Sequence, residues 1–114
     1  VLSSGYYDAY YKKAQQVRTL LKEAFDSALK KYDGLLGPVA PTTAFKFGSS
    51  ETPVQMYMQD IMTAPVSLIG SPAVSVPIGL GKASSMPVGL QIISSHGEDK
   101  KVLSLAKLVE EAVK

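Results

Sequence analysis

The chain has 114 residues, 46% of them hydrophobic and 19% charged, a composition suited to one globular unit with one core and too short for two conventional domains. Its formal net charge is +2, with 12 basic and 10 acidic residues interleaved, so no dense basic stripe exists for direct nucleic-acid binding. No cysteine is present, which excludes disulfides and thiolate metal sites and fits a cytoplasmic setting, and no apolar run approaches the roughly 20 residues of a membrane span.

Val1-Leu2-Ser3-Ser4 opens no secretion-signal pattern, and a first residue other than methionine is expected of a piece of a longer protein. From Tyr6 to Tyr32 the residues Tyr10, Ala14, Val17, Leu21, Ala24, Phe25, Ala28 and Tyr32 recur every three or four positions, which predicts a long amphipathic helix. Ser3 or Ser4 supplies its cap, Asp8 suits its first turn, and Lys30-Lys31 complement the dipole before Gly34 stops it. Leu35 to Val39 reads as a buried strand that enters a loop rich in Pro41, Thr42, Thr43, Gly48, Ser49 and Ser50.

Pro53 fits the first turn of a short helix from Val54 to about Thr63, apolar nearly all round through Met56, Tyr57, Met58, Ile61 and Met62. Such a helix is expected to be buried, and Asp60 with it. Ala64 to Pro72 reads as irregular. Val74, Val76 and Ile78 alternate with Ser75 and Pro77, and Val88 to Ile93 is a second strand, predicting an antiparallel hairpin across Gly81–Pro87. The continuous apolarity of that second strand predicts burial on both faces. Glu98 to Val113 carries Val102, Leu105, Ala106, Val109, Ala112 and Val113 at helical spacing.

The order of elements is α/β, with only about three strands for a sheet that expects helices on both sides. Residues 1–114 therefore read as a single, incomplete unit, a piece that leaves apolar faces uncovered or needs a partner.

Few residues carry chemistry. His96, the sole histidine, falls in a turn between strand and helix, where a solvated residue is the ordinary outcome. Gly48-Ser49-Ser50 and Ser84-Ser85 fit neither the G-x-S-x-G elbow nor a phosphate loop. The tyrosines at 6, 7, 10, 11 and 57 suit either packing or a pocket for a polar ligand. Asp60 stands apart, because a carboxylate among apolar neighbours needs a cation or several donors. Two partners remain open: Arg18 or a lysine of the long helix, and the ammonium group of a ligand.

Four segments carry a resemblance. They are Leu2 to Gln15 (Leu-Ser-Ser-Gly-Tyr-Tyr-Asp-Ala-Tyr-Tyr-Lys-Lys-Ala-Gln) with Val17-Arg18-Thr19-Leu20; Tyr32-Asp33 with Gly37-Pro38 and Pro41-Thr42; Met56-Tyr57 with Asp60; and Gly70, Pro72 and Ser75-Val76-Pro77 running on to Pro87-Val88-Gly89-Leu90-Gln91-Ile92-Ile93. Together they resemble the C-terminal part of the amidase signature family, in its tRNA-dependent amidotransferase branch, over nearly the whole chain.

The resemblance implies a mixed sheet covered by helices and a glutaminase activity. Glutamine would be hydrolysed through a serine acyl-enzyme. Its ammonia would pass to a B subunit that uses ATP and magnesium to amidate Glu-tRNA(Gln) or Asp-tRNA(Asn), with a small C subunit bracing the pair. The charged tRNA would be reached only through that complex, and no cofactor is expected on this segment. The family's serine, cis-serine and lysine match nothing here, so the isolated segment is expected to be non-catalytic. One functional position carries over: the aspartate of the Met-Tyr-x-x-Asp pattern, Asp60, which in proteins of this kind faces the substrate's α-amino group. Gln59, Ser67 and Ile78 depart from the common pattern, where asparagine, asparagine and cysteine are usual; this bears on preference between glutamine, asparagine and simpler amides.

Overall fold

The computed structural model describes residues 7–49 and 52–114, and the side chains from residue 9 onward within those ranges. The cap assigned to Ser3 or Ser4, the residues Tyr6 and Ser50, and the side chains of Tyr7 and Asp8 lie outside what is described.

Helix α1 spans Lys12–Leu29 and is entered through a π-helical turn at Tyr7–Tyr11. No glycine or proline interrupts it, and Lys, Ala, Gln, Arg and Leu dominate, all good helix formers. It ends three residues before the predicted Tyr32, where Lys31 N–H turns back to the Ala28 carbonyl at 3.0 Å. Lys22 and Asp26, one turn apart, pair at 3.0 Å on its surface. Leu29 is its buried residue and lies off the predicted stripe, of which Leu21, Phe25 and Ala28 are half-buried and the rest, Tyr10 at 65% among them, exposed.

Strands β1 (Leu35–Pro38), β2 (Ala73–Leu80) and β3 (Pro87–Ile93) form a three-stranded sheet in the order β1-β3-β2, antiparallel throughout. The hairpin read from the sequence is present, with Val74 opposite Ile92 and Val76 opposite Leu90. Beyond Pro77 the register slips at Ile78 and resumes at Gly79, which takes a φ of 141°. Proline cannot donate to a ladder, so its place on an edge strand beside a bulge is where a sheet tolerates it. β1 is the other edge, with Leu36 opposite Ile92. It is half-covered rather than buried as predicted, because the helix on that face packs over β2 and β3.

That helix, α4 (Asp99–Ala112), starts with Asp99 in its first turn, favourable to the helix dipole. Its Val102, Leu105, Ala106 and Val109 close over Val74, Val76 and Ile92 to form the core, in which Ile92 is fully inaccessible. Gly34, just before β1, is held in a tight approach: a Cβ there would stand 2.7 Å from Leu105 Cδ1. Strand β3 is exposed at Pro87, half-buried from Val88 to Leu90 and buried from Gln91 onward, so the predicted two-sided burial is met only in its second half.

Two short helices differ from the sequence reading. Helix α2 spans Pro53–Met58, begun by a capping box in which Thr52 and Gln55 satisfy each other's backbone N–H groups. The expected run to Thr63 breaks into tighter turns, with Gln59, Asp60 and Ile61 N–H bonded three residues back, to Met56, Tyr57 and Met58. Pro65 explains the break, since it has no N–H for the Ile61 carbonyl. The same proline opens helix α3, Ala64–Ile69, where an irregular segment was expected. Gly70, at φ 74°, closes it: Gly70 N–H bonds the Ser67 carbonyl and Ser71 N–H the Val66 carbonyl, a Schellman ending.

Helix α1 packs on α3, while nothing of comparable extent packs on α2 among the described residues. None of α2 is buried, contrary to expectation. The molecule is 20 Å across its shortest axis, room for two layers only, and its radius of gyration of 17.1 Å exceeds the roughly 13 Å of a compact chain this long. Apolar side chains stand exposed along α1 and α2, among them Val17, Leu20, Val54, Met56 and Tyr57.

The core makes a direct prediction. Ile92→Ala is expected to cost about 2–5 kcal/mol in denaturant unfolding, whereas Leu103→Ala, on the exposed side of α4, is expected to stay within about 0.5 kcal/mol.

Candidate functional site

Asp60 lies in the turn between α2 and α3, not inside a helix, and it is exposed. The predicted enclosure fails for a physical reason: no element among the described residues covers α2, so the carboxylate keeps its water and needs no counter-ion. Neither protein cation proposed for it takes the role. Arg18 Nε instead donates to the Leu68 carbonyl, joining α1 to α3. The ion pairs among the described residues are Lys22–Asp26 and Lys101–Asp33, so no lysine reaches Asp60.

The turn that carries Asp60 is nevertheless well fixed. Its own carbonyl accepts from Ala64 N–H at 2.9 Å and from Thr63 N–H at 3.2 Å, closing the backbone on both sides of Ile61 and Met62. Gln59 and Thr42 join side chains at 3.3 Å, tying the turn to the loop after β1. On the other side Gln91 of β3 donates from Nε2 to the Met62 carbonyl at 3.0 Å and to the Pro38 carbonyl at 3.4 Å. A backbone clamped in this way presents its carboxylate at a fixed place on the surface.

Around the carboxylate lies an open pocket of about 400 Å³, lined by Tyr57, Met58, Asp60, Ile61 and Ala64. One negative charge among apolar walls and a tyrosine ring suits a small ammonium-bearing molecule: the carboxylate supplies charge-assisted acceptors and the ring a π-face for the cation. Tyr57, 79% exposed, is the one candidate tyrosine at this place among the described side chains. Tyr10 and Tyr11 instead line a groove of about 580 Å³ along α1 with Arg18 and Leu68.

Reacting groups are not assembled beside Asp60. His96 Nδ1 lies 3.0 Å from the Gly70 carbonyl; a carbonyl only accepts, so this nitrogen carries the proton and the ring is engaged in closing the α3–β2 connection. The Ser84 hydroxyl accepts from Met86 N–H within its own loop, and Ser94 donates to the Asp33 carbonyl at 3.2 Å inside the protein. Among the described residues no serine hydroxyl bonds an ionisable side chain, and no group of three or more His, Asp or Glu residues is gathered to hold a metal. No helix among them is long and apolar enough to cross a membrane.

Comparison with known proteins adds what the geometry cannot. The family model described as Amidase matches residues 1–103. Over 112 residues, 97% of this chain, it is 54% identical to the A subunit of the glutamyl-tRNA(Gln) amidotransferase of Exiguobacterium sp., of which it covers 23%. The protein of the same name from Halothermothrix orenii is 50% identical over 113 residues, 99% of this chain and 24% of that one. Among solved structures, the A subunit of glutamyl-tRNA(Gln) amidotransferase from Thermotoga maritima superposes with a TM-score of 0.85 at 40% identity, across 95% of this chain and 24% of that one. The chain thus spans about a quarter of the length of the relatives it matches.

An exposed carboxylate with no ion-pair partner among the described residues predicts that Asp60→Asn leaves the unfolding free energy within about 0.5 kcal/mol of the parent chain. Removing one member of a buried ion pair would instead cost about 3–5 kcal/mol.

Proposed function

Since the chain belongs to the amidase family, we propose that it is the substrate-recognition part of a glutaminase, the A-type component of a tRNA-dependent amidotransferase. Its substrate is glutamine, and Asp60 holds the α-ammonium group. The observation that carries this reading is Asp60 itself: a carboxylate free of internal cations, on a turn clamped from two sides, at a pocket with apolar walls. The identity of 50% and 54% to proteins of that kind, over nearly all of this chain, supports the choice of component.

In this reading the division of labour is physical. The 114 residues bind and orient one end of the amino acid, and the acyl-transfer groups stand elsewhere in the complete enzyme, because the family's serine, cis-serine and lysine match no position here. Fixing the ammonium end places the side-chain amide at a set distance from the nucleophile, and that positioning is itself a large part of catalysis. Ammonia released from glutamine serves a B subunit, where ATP and magnesium activate Glu-tRNA(Gln) or Asp-tRNA(Asn), and a C subunit braces the pair. The chain's own charge offers no tRNA surface, so nucleic acid reaches it only through the assembly. The setting is the cytoplasm, or an organelle that keeps this route.

Asp60→Ala in the complete enzyme with its partners is expected to raise the KM for glutamine roughly thirtyfold, the loss of about 2 kcal/mol from one charge-assisted contact. Turnover at saturation is expected to change much less. Unchanged KM and kcat would remove Asp60 from the site. Glutamine hydrolysis indifferent to ATP and charged tRNA would point instead to an amidase acting on free amides.

A further inference from the structure

We infer that Gln91 is a positioning residue for Asp60: its buried amide sets where the carboxylate stands, and through it the selectivity for substrates that carry an α-ammonium group. The inference rests on the reading of Asp60 given above.

Gln91 is the one polar side chain in the run Val88 to Ile93, and it is 7% exposed in the middle of the central strand. An amide in such a place is unfavourable unless its donors are satisfied. Both partners of its Nε2 are carbonyls, Met62 and Pro38, and carbonyls only accept, so the nitrogen rather than the oxygen must face them. A leucine here would fill the strand equally well. What the amide adds is a link from β3 to the end of β1 and to the turn that bears Asp60.

The other bonds of that turn are local. Ile61 to Met58, Thr63 to Asp60 and Ala64 to Asp60 give the turn its shape but say nothing of where it sits on the sheet. Among the described residues, α3 behind the turn is held on α1, and the turn itself has two side-chain links to other elements, Gln91 with Met62 and Thr42 with Gln59. The second joins two side chains at 3.3 Å in an exposed setting, where water competes; the first is part-buried, shorter at 3.0 Å, and reaches main chain. Met62 is two residues from Asp60 inside one closed turn, so a displaced Met62 carries Asp60 with it. Local propensity does not demand a polar residue at this position, and the clamp accounts for it.

The test uses the complete enzyme with its partners and two substrates: glutamine, and glutaric acid monoamide, which is glutamine without its α-amino group. Gln91→Met keeps length and shape and removes both donors. It is expected to raise the KM for glutamine about tenfold, below the roughly hundredfold that a 1 Å misplacement costs. The kcat for glutamine and both constants for the monoamide are expected to hold, and adding Gln91→Met to Asp60→Ala is expected to change nothing further. Equal losses on the two substrates would make Gln91 a purely structural residue and overturn the inference, as would an unchanged KM. Should Gln91→Met not fold, Gln91→Asn, which stays polar but is one methylene too short to reach Met62, is read by the same ratio. If Asp60→Ala shifts the ratio and neither Gln91 variant does, only the inference falls. If Asp60→Ala leaves the ratio unchanged, the Asp60 reading falls and the inference with it.

Discussion

Strand β3 has a hydrogen-bonded neighbour on each side, and the sheet, the core under α4 and the turn that bears Asp60 all take their places from that strand. β1 and β2 pair along its two edges, both antiparallel. One face of it gives Ile92 to the core beneath α4, and from the adjacent position Gln91 reaches the main chain of the α2–α3 turn. Alternation of side chains across a strand is what lets two successive residues do such different work. Stability is concentrated on the α4 side, and the candidate site is held on the other.

The thinness of the structure follows from the same arrangement. A sheet covered by one substantial helix buries few side chains: Val76, Ile92 and Val102 form the core beneath α4, and Val66 and Ile69 are buried apart from it in α3. Helix α1 shows its apolar residues to solvent along much of its length, and α2 shows Val54, Met56, Tyr57 and Met58. Surfaces of that kind are unfavourable in water unless something covers them. Proteins of the same family that align over this region are about four times as long.

Periodicity makes the long helix, the hairpin and the last helix legible in the sequence, because each displays its apolar residues at a constant interval. The α2–α3 region is harder to read. Met56, Tyr57, Met58, Ile61 and Met62 look like a helix destined for a core, yet burial depends on what lies opposite, which no local pattern reports. Pro65 and Gly70 do hold the signal for α3, a proline in the first turn and a glycine just past the last, and that pair outweighs the irregular composition between them. Residue type and resemblance single out Asp60, but its enclosure is inferred from neighbours in the chain that turn out to be exposed. Gln91 stands in plain view as the polar residue of an apolar strand. Its role becomes visible only when the fold brings Met62, 29 residues away in sequence, within hydrogen-bond reach.

The proposed division, a carboxylate presented for recognition with the reacting groups supplied elsewhere, is one that a single assay addresses directly. Glutamine is incubated with the 114-residue chain, and ammonia is measured against buffer and against the complete enzyme with its partners. Ammonia from the complete enzyme and none above background from the 114 residues is the predicted result. Sustained release by the 114 residues alone would contradict it, since no serine hydroxyl among the described residues bonds an ionisable side chain.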